Sequence, residues 1–186
     1  RPSGKRVYIL RHGQGTHNKP SWGGANPYSK VDPRLTPLGL EQAAGVLTRA
    51  PQLADAELLV VSPLARAVQT AAAAFGQRPA MRTILTPLHS ERWSANCDEG
   101  SPKSALAEAF PFVRDWEGFD ELAEAWTPTK VTDVDWRTTR LPAFLAWLTA
   151  RPEMSVVVVG HGAFFAALPQ LEGRHLRNCE VFEIIL

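Results

Sequence analysis

Val7-Tyr8-Ile9-Leu10-Arg11-His12-Gly13 and Val156-Val157-Val158-Val159-Gly160-His161-Gly162 are the stretches whose reading decides the fold. Each is a run of four apolar residues leading into a His-Gly step. A short unbroken apolar run of this kind reads as a strand buried on both faces, as inside a parallel sheet. In open α/β sheets the chemistry sits in the crevice beyond the carboxyl ends of such strands. With both strands near the centre of one sheet, two imidazoles and the Arg11 guanidinium meet in one pocket. That pocket would handle an anion.

Working outward, Arg6 to Leu10 reads as the first strand, Leu58 to Val61 as the second and Thr83 to Leu85 as a third. Ser155 to Val159 follows, and Glu180 to Leu186 closes the chain. Thr36-Pro37 is an N-cap followed by proline in the first helical position, predicting a helix to about Ala50 that stops before Pro51. Ser62-Pro63 repeats the device ahead of an Ala-rich helix to Phe75. Another helix ends near Ala150, with Pro142 near its start or kinking it. Ala163 to Leu168 is a last helix, and the Gly-, Pro- and Asn-rich stretch Gln14 to Arg34 is mostly loop.

This alternation predicts an α/β fold of three layers, a mainly parallel central sheet with helices on both faces. Residues 1–186 form a single domain, interrupted at about 88–135 by an irregular, lid-like insertion over the active-site edge. The length suits one domain, burying about 70% of the unfolded surface.

The formal net charge is +1, and no basic run interleaved with aromatics points to nucleic acid. No apolar stretch is long enough to span a bilayer. Cys97 and Cys179 make neither a disulfide framework nor a metal pattern. They favour a reducing, cytoplasmic compartment. No signal peptide is visible, and the chain starts at Arg1 rather than Met, so a leader or flanking segment could have been removed. Oligomeric state is not legible. Charge is uneven: residues 91–135 hold eleven acidic and four basic side chains, near −7, and the rest of the chain is near +8. Either a solvated acidic surface or an acidic cover over a basic pocket explains this.

Arg66 falls in the first turn of the helix that follows the second strand, where free backbone N–H groups already favour an anion. Its planar fork can grip two phosphate oxygens at once. Arg11, Arg66 and a protonated His161 would bind a phosphoryl dianion. His12 is the candidate nucleophile, kept neutral by the neighbouring arginines and able to form a phosphohistidine. Glu91, in a partly covered pocket, is the candidate proton donor, with His89 as substitute or helper. Metal binding fits poorly, because a guanidinium flanks His12 and a second is its expected partner. No metal and no cofactor are expected.

These motifs resemble the histidine phosphatase superfamily, in the branch that includes the cofactor-dependent phosphoglycerate mutases. Arg11-His12-Gly13-Gln14-Gly15-Thr16-His17-Asn18 is similar to its opening signature, and Asp32 to Ala43 to its second block. Ser62 to Ala71 is similar to the third block and Val159-Gly160-His161-Gly162 to the last, all in order. The resemblance implies that His12 carries the phosphoryl group, that Arg11, Arg66 and His161 cradle it, and that Glu91 donates the proton. It also implies that Asn18 touches the phosphate, with Gly162 allowing close approach. Gln14-Gly15 and Asn96-Cys97-Asp98 look most like plant, algal and fungal phosphoglycerate mutase-like proteins. Glycolytic mutases usually have Glu at the position of Gln14, and the acid-phosphatase and phytase branch has Asp at the position of Gly162.

The expected function is therefore metal-independent hydrolysis of a small phosphomonoester through phospho-His12. A mutase, or an inactive phosphate-binding module, are the alternatives. Trp93, Trp116, Trp126 and Trp136 either pack the insertion or wall the pocket. His17 and His175 read as solvent-facing or hydrogen-bonding residues, and Ser62 as a helix cap.

Overall fold

The structure, a computed structural model, describes residues 4–19, 26–76, 81–127 and 133–186. Parts of the expected loop 14–34 and of the insertion, at 20–25 and 128–132, lie outside the described residues.

The first strand, β1, spans Arg6–Arg11, followed by helices α1 (Pro37–Ala44) and α2 (Val46–Arg49). Strand β2 (Leu58–Val61), helix α3 (Ala65–Phe75) and strand β3 (Arg82–Leu85) come next. Helix α4 (Lys103–Ala109) lies in the insertion; α5 (Arg140–Ala150), β4 (Ser155–Gly160), α6 (Gly162–Ala166) and β5 (Val181–Ile185) complete the chain. The five strands form one sheet in the order β3-β2-β4-β1-β5, parallel except for antiparallel β5 at the edge.

Side chains alternate across the strands and divide the core into two layers. Tyr8, Leu10, Leu59, Val61, Leu85, Val157 and Val159 face one side, against α1, α2, α3 and α4. Val7, Ile9, Leu58, Val60, Ile84, Val156 and Val158 face the other, against α5 and α6. Because both faces are covered, the strands need apolar residues at every position, which is why they read as unbroken runs.

The helix expected to reach Ala50 is two helices. Gly45 closes α1 by donating its N–H to Glu41 and Ala43 carbonyls, and α2 ends at Arg49 with Ala50 as its C-cap. Thr36 does cap α1, accepting from the Gly39 N–H at 3.0 Å. Ser62 does not cap α3. That helix begins at Ala65, whose N–H donates to Asp32 Oδ1 at 2.8 Å, so a carboxylate from a distant loop does the capping.

The stretch 88–135 divides. Its start borders the carboxyl ends of the strands, while Leu106, Ala107, Phe110, Val113, Phe119, Leu122 and Trp126 pack into the first core layer. Glu117 returns to the sheet edge, donating to Thr83 O at 3.0 Å and accepting from Leu85 N at 2.8 Å. Trp126 and Trp136 are buried, and Trp116 packs against the core.

Candidate active site

Register brings the two His-Gly steps together. Leu10 pairs with Val159 and Arg11 with Gly160 across β1 and β4, so the next residues, His12 and His161, emerge side by side. The His12 N–H donates to Gly160 O at 3.0 Å, and the two rings stand 5.3 Å apart. The loop beyond β1 rests directly on α1: a Cβ on Gly13 would come within 2.5 Å of Gly39 O. Gly13 N–H also donates to Thr70 Oγ1 at 3.0 Å, tying the loop to α3.

His12 is buried, and its Nδ1 lies 2.7 Å from its neighbour's carbonyl, Gly13 O. A carbonyl can only accept, so Nδ1 carries the proton and Nε2 keeps its lone pair. Burial, then the Arg66 and Arg11 charges, hold the His12 pKa well below the ordinary imidazole range. The ring is neutral at pH 7, with burial rather than the arginines as the leading cause.

His161 is also fully buried, and burial with the Arg66 charge keeps it neutral as well. The sequence predicts a protonated His161, and burial with the Arg66 charge works against that. Its Nε2 lies 2.8 Å from Ser62 Oγ, the role Ser62 takes in place of capping.

Arg66 is 1% exposed, and its fork is partly committed. Nη1 donates to Cys97 O at 2.6 Å and Nη2 to Asp98 Oδ1 at 3.2 Å. The other Asp98 oxygen accepts from Ser94 N, Ser94 Oγ and Ala95 N. The insertion thus grips the outer face of the guanidinium, leaving the buried Nε unpartnered. Arg11 donates from Nη1 to Leu176 O at 2.6 Å, and its buried Nε is likewise unpartnered. Gly162 faces this side chain, where a Cβ would meet Arg11 Nε at 3.1 Å.

Glu91 reaches across from the insertion to the start of α6. Its Oε2 accepts from Ala163 N at 3.0 Å, and Oε1 from Phe164 N at 2.9 Å and Arg92 N at 3.0 Å. Burial raises its pKa, the Ala163 N–H opposes that, and Asp98 adds to it. Oε2 makes one such bond against two for Oε1, so it has room for the proton. Behind Glu91, Arg140 donates to Ser90 O at 2.5 Å and pairs with the buried Asp133 at 2.9 Å. His89 lies in the core instead, stacked on Phe144 at 5.0 Å with Nε2 on Val159 O at 3.0 Å. Burial pushes its pKa down to about 3.

Asn18 closes the turn after β1, its Oδ1 accepting from Gly15 N at 3.0 Å. His17 sits beside it, buried, with its ring 5.7 Å from that of His12. The sequence reading gave His17 no place at the site and missed Ser62, Asp98 and Asp32. His175 is exposed, as read. Among the described residues no cluster of three or more His, Cys, Asp and Glu side chains is arranged to hold a metal ion. No helix among them is long and apolar enough to cross a membrane. Cys97 and Cys179 are free and buried, and burial pushes both thiols up to about 11.

Two imidazoles and two guanidinium groups gather at the carboxyl edge of the mainly parallel sheet of an α/β protein. The profile of the histidine phosphatase superfamily (branch 1) matches residues 7–184, and the chain belongs to that family. It is similar to a phosphoglycerate mutase-like protein of Arabidopsis thaliana, 26% identical over 229 aligned positions covering 98% of this chain and 84% of the relative. Phosphoglycerate mutase-like protein 1 of the same plant is 24% identical, with 98% and 81% covered. Among solved structures, the phosphoserine phosphatase of Entamoeba histolytica in complex with 3-phosphoglyceric acid superposes with a TM-score of 0.58 at 18% identity, covering 96% of this chain and 89% of that one. A mycobacterial glucosyl-3-phosphoglycerate phosphatase complexed with VO3 gives 0.53 at 22% identity, covering 96% and 90%. At these identities the likeness is one of fold.

Proposed function

We propose that the protein is a metal-independent phosphomonoesterase acting on a small organic phosphate through phospho-His12. One observation supports this most. Arg11 Nε, Arg66 Nε, His161 Nδ1, His17 Nδ1 and Thr16 Oγ1 are all buried without a hydrogen-bond partner among the described residues. An orphaned buried polar group costs about 1–3 kcal/mol, and folded proteins keep few of them. Arg66 and Arg11 act electrostatically on both His12 and His17, and Arg66 on His161, so these groups lie near one another, whereas one further orphan, His89 Nδ1, lies in the core. A phosphoryl group brings the oxygens that such donors lack.

In the first step the lone pair of His12 Nε2 forms a bond to phosphorus, and the bond from phosphorus to the organic oxygen breaks. That oxygen takes its proton from Glu91 Oε2. Arg11 and Arg66 stabilise the charge on the phosphoryl oxygens in the transition state. In the second step water attacks phosphorus, Glu91 recovers a proton from it, and the Nε2–phosphorus bond breaks to free inorganic phosphate. The Nδ1–H bond to Gly13 O holds one tautomer throughout.

The test is a rapid quench with a substrate radiolabelled in its phosphoryl group, followed by mapping. Label on His12, lost in His12→Ala, is the expected result. Label elsewhere, or none in a single turnover of an accepted substrate, rejects the mechanism. The names of the Arabidopsis relatives bring a mutase reaction into the same experiment. Interconversion of 2- and 3-phosphoglycerate without phosphate release would replace hydrolysis with transfer while keeping phospho-His12.

A further inference from the structure

We propose that His17 is a third phosphoryl-binding imidazole, contacting the oxygens of the group that His12 carries. The inference rests on the phosphohistidine reading above and adds a residue to its binding machinery. Three observations carry it.

The first is position. The His17 ring stands 5.7 Å from that of His12, nearly as close as the 5.3 Å that separates His12 from His161. A phosphorus bonded to His12 Nε2 carries its oxygens into the space these rings share.

The second is an unmet hydrogen bond. His17 is 7% exposed, yet its Nδ1 has no partner among the described residues. His89, packed in the core, leaves its own Nδ1 unpartnered too but holds Nε2 on Val159 O, 3.0 Å away, so the orphaned nitrogen of His17 counts only together with the place of its ring beside His12. Burial and then the Arg66 and Arg11 charges push the His17 pKa down to about 3, so the ring meets its ligand neutral. A neutral imidazole still has one N–H to donate to a phosphoryl oxygen, while the two guanidinium groups supply the positive charge.

The third is the glycine beneath it. Gly15 has φ −85°, an ordinary extended conformation that any residue adopts, so its backbone does not demand glycine. Space does. A Cβ there would lie 2.6 Å from both Cε1 and Nδ1 of His17. The Gly15 backbone cannot yield, since its N–H is held by Asn18 Oδ1 at 3.0 Å and it bridges to Leu35. The chain therefore gives up a side chain to seat a polar ring whose own nitrogen is left unpaired. That arrangement suits a ring waiting for a ligand.

The experiment measures binding of orthovanadate, as a phosphoryl mimic, by calorimetry on wild type, His17→Leu, Gly15→Ala and the double variant. His17→Leu is expected to bind about tenfold to a hundredfold more weakly, the loss of a hydrogen bond to a charged group. Its KM should rise with that loss, while label still reaches His12. Gly15→Ala should weaken binding by displacing the ring, and the double variant should be no weaker than His17→Leu alone. A folded His17→Leu within twofold of wild type overturns the proposal. If His17→Leu does not fold, the imidazole nitrogen resonances of wild type decide: a His17 signal that shifts on adding orthovanadate supports the contact, and one that stays fixed overturns it. Wild type that forms no phospho-His12 sinks the hydrolase reading itself. Normal labelling with unchanged orthovanadate affinity in His17→Leu sinks only the role of His17.

Discussion

The sheet and the insertion reach the same pocket by different physics. His12, Arg66 and His161 are placed by strand register and by the start of a helix, so the hydrophobic core fixes them. Glu91, Asp98 and Asp133 come from the insertion and are fixed by polar pairing, with α6, Arg66 and Arg140 respectively. Of the eleven acidic side chains between 91 and 135, these three are turned inward and the other eight are exposed. The local surplus of negative charge is thus a solvated surface for eight residues and a set of internal struts for three. Apolar burial locates the proposed phosphoryl site, and buried ion pairs fasten the insertion beside it.

The sharpest way to break this division is to remove chemistry from the insertion alone. Glu91→Gln cannot donate a proton, so hydrolysis of alkyl phosphates should fall about 10²- to 10⁴-fold in kcat. p-Nitrophenyl phosphate, whose leaving group departs without a proton, should lose far less in its first step. Equal loss with both substrates would remove Glu91 as acid and leave it a cap on α6. Because burial raises its pKa, the wild-type rate should also decline as pH rises and Glu91 ionises, a limb that Glu91→Gln lacks.

Next comes the joint between the regions. Arg66→Ala should lower kcat/KM about 10²- to 10³-fold, as expected for one lost transition-state donor. It should also destabilise the fold by about 3–5 kcal/mol in urea titrations, because Asp98 stays buried without its partner. The double variant Arg66→Ala with Asp98→Ala should recover much of that stability and none of the activity. Recovery of both, or of neither, would show that the pair does not divide into a phosphate donor and a strut.

Buried imidazoles give a pH test of the sheet side. His12, His17, His89 and His161 all have folded pKa values below 6.5, near 3 for His17 and His89. The unfolded chain therefore binds more protons below pH 6.5, and stability is lost as pH falls from there toward 3. Each such histidine adds up to about 1.4 kcal/mol per pH unit to the slope. Glu91 works the other way, since its raised pKa lets the folded state bind more protons above 4.5. The measurement is urea stability at pH 7, 6 and 5, with His89→Phe removing one proton from the slope. A flat profile would mean that the rings are charged or exposed.

The same division explains what was legible in the chain. The runs at Val7 and Val156 announce doubly covered strands, and parallel pairing of those runs aligns His12 with His161, so a pocket follows from pattern. Arg66 is readable because a strand, a turn and an Ala-rich helix leave it one place to be. Ser62 misleads because Ser-Pro before a helix is ordinary cap chemistry, and nothing local says that Asp32, some thirty residues earlier, takes that role. Asp98 and Asp133 look like surface acids until their partners are known. Pairing across such distances has no periodicity, so the insertion's acids stay unsorted in the sequence. His17 is hidden for another reason: its signal is the small residue two places before it.

The smallest effects separate local from long-range capping. Thr36 caps its own helix, so Thr36→Ala should cost about 1 kcal/mol of stability and leave kcat/KM unchanged. Asp32 caps α3 at Ala65 N, 2.8 Å away, and with its second oxygen holds Ser101 N of the insertion at 2.9 Å. Asp32→Ala removes a helix cap and an anchor of the insertion together. It should therefore cost more than Thr36→Ala in urea titration and also lower kcat/KM by a few-fold, since the loop carrying Asp98 loses a tether. Equal effects from the two substitutions would mean that Asp32 acts on α3 alone, and that the Arg66–Asp98 pair holds the insertion without help.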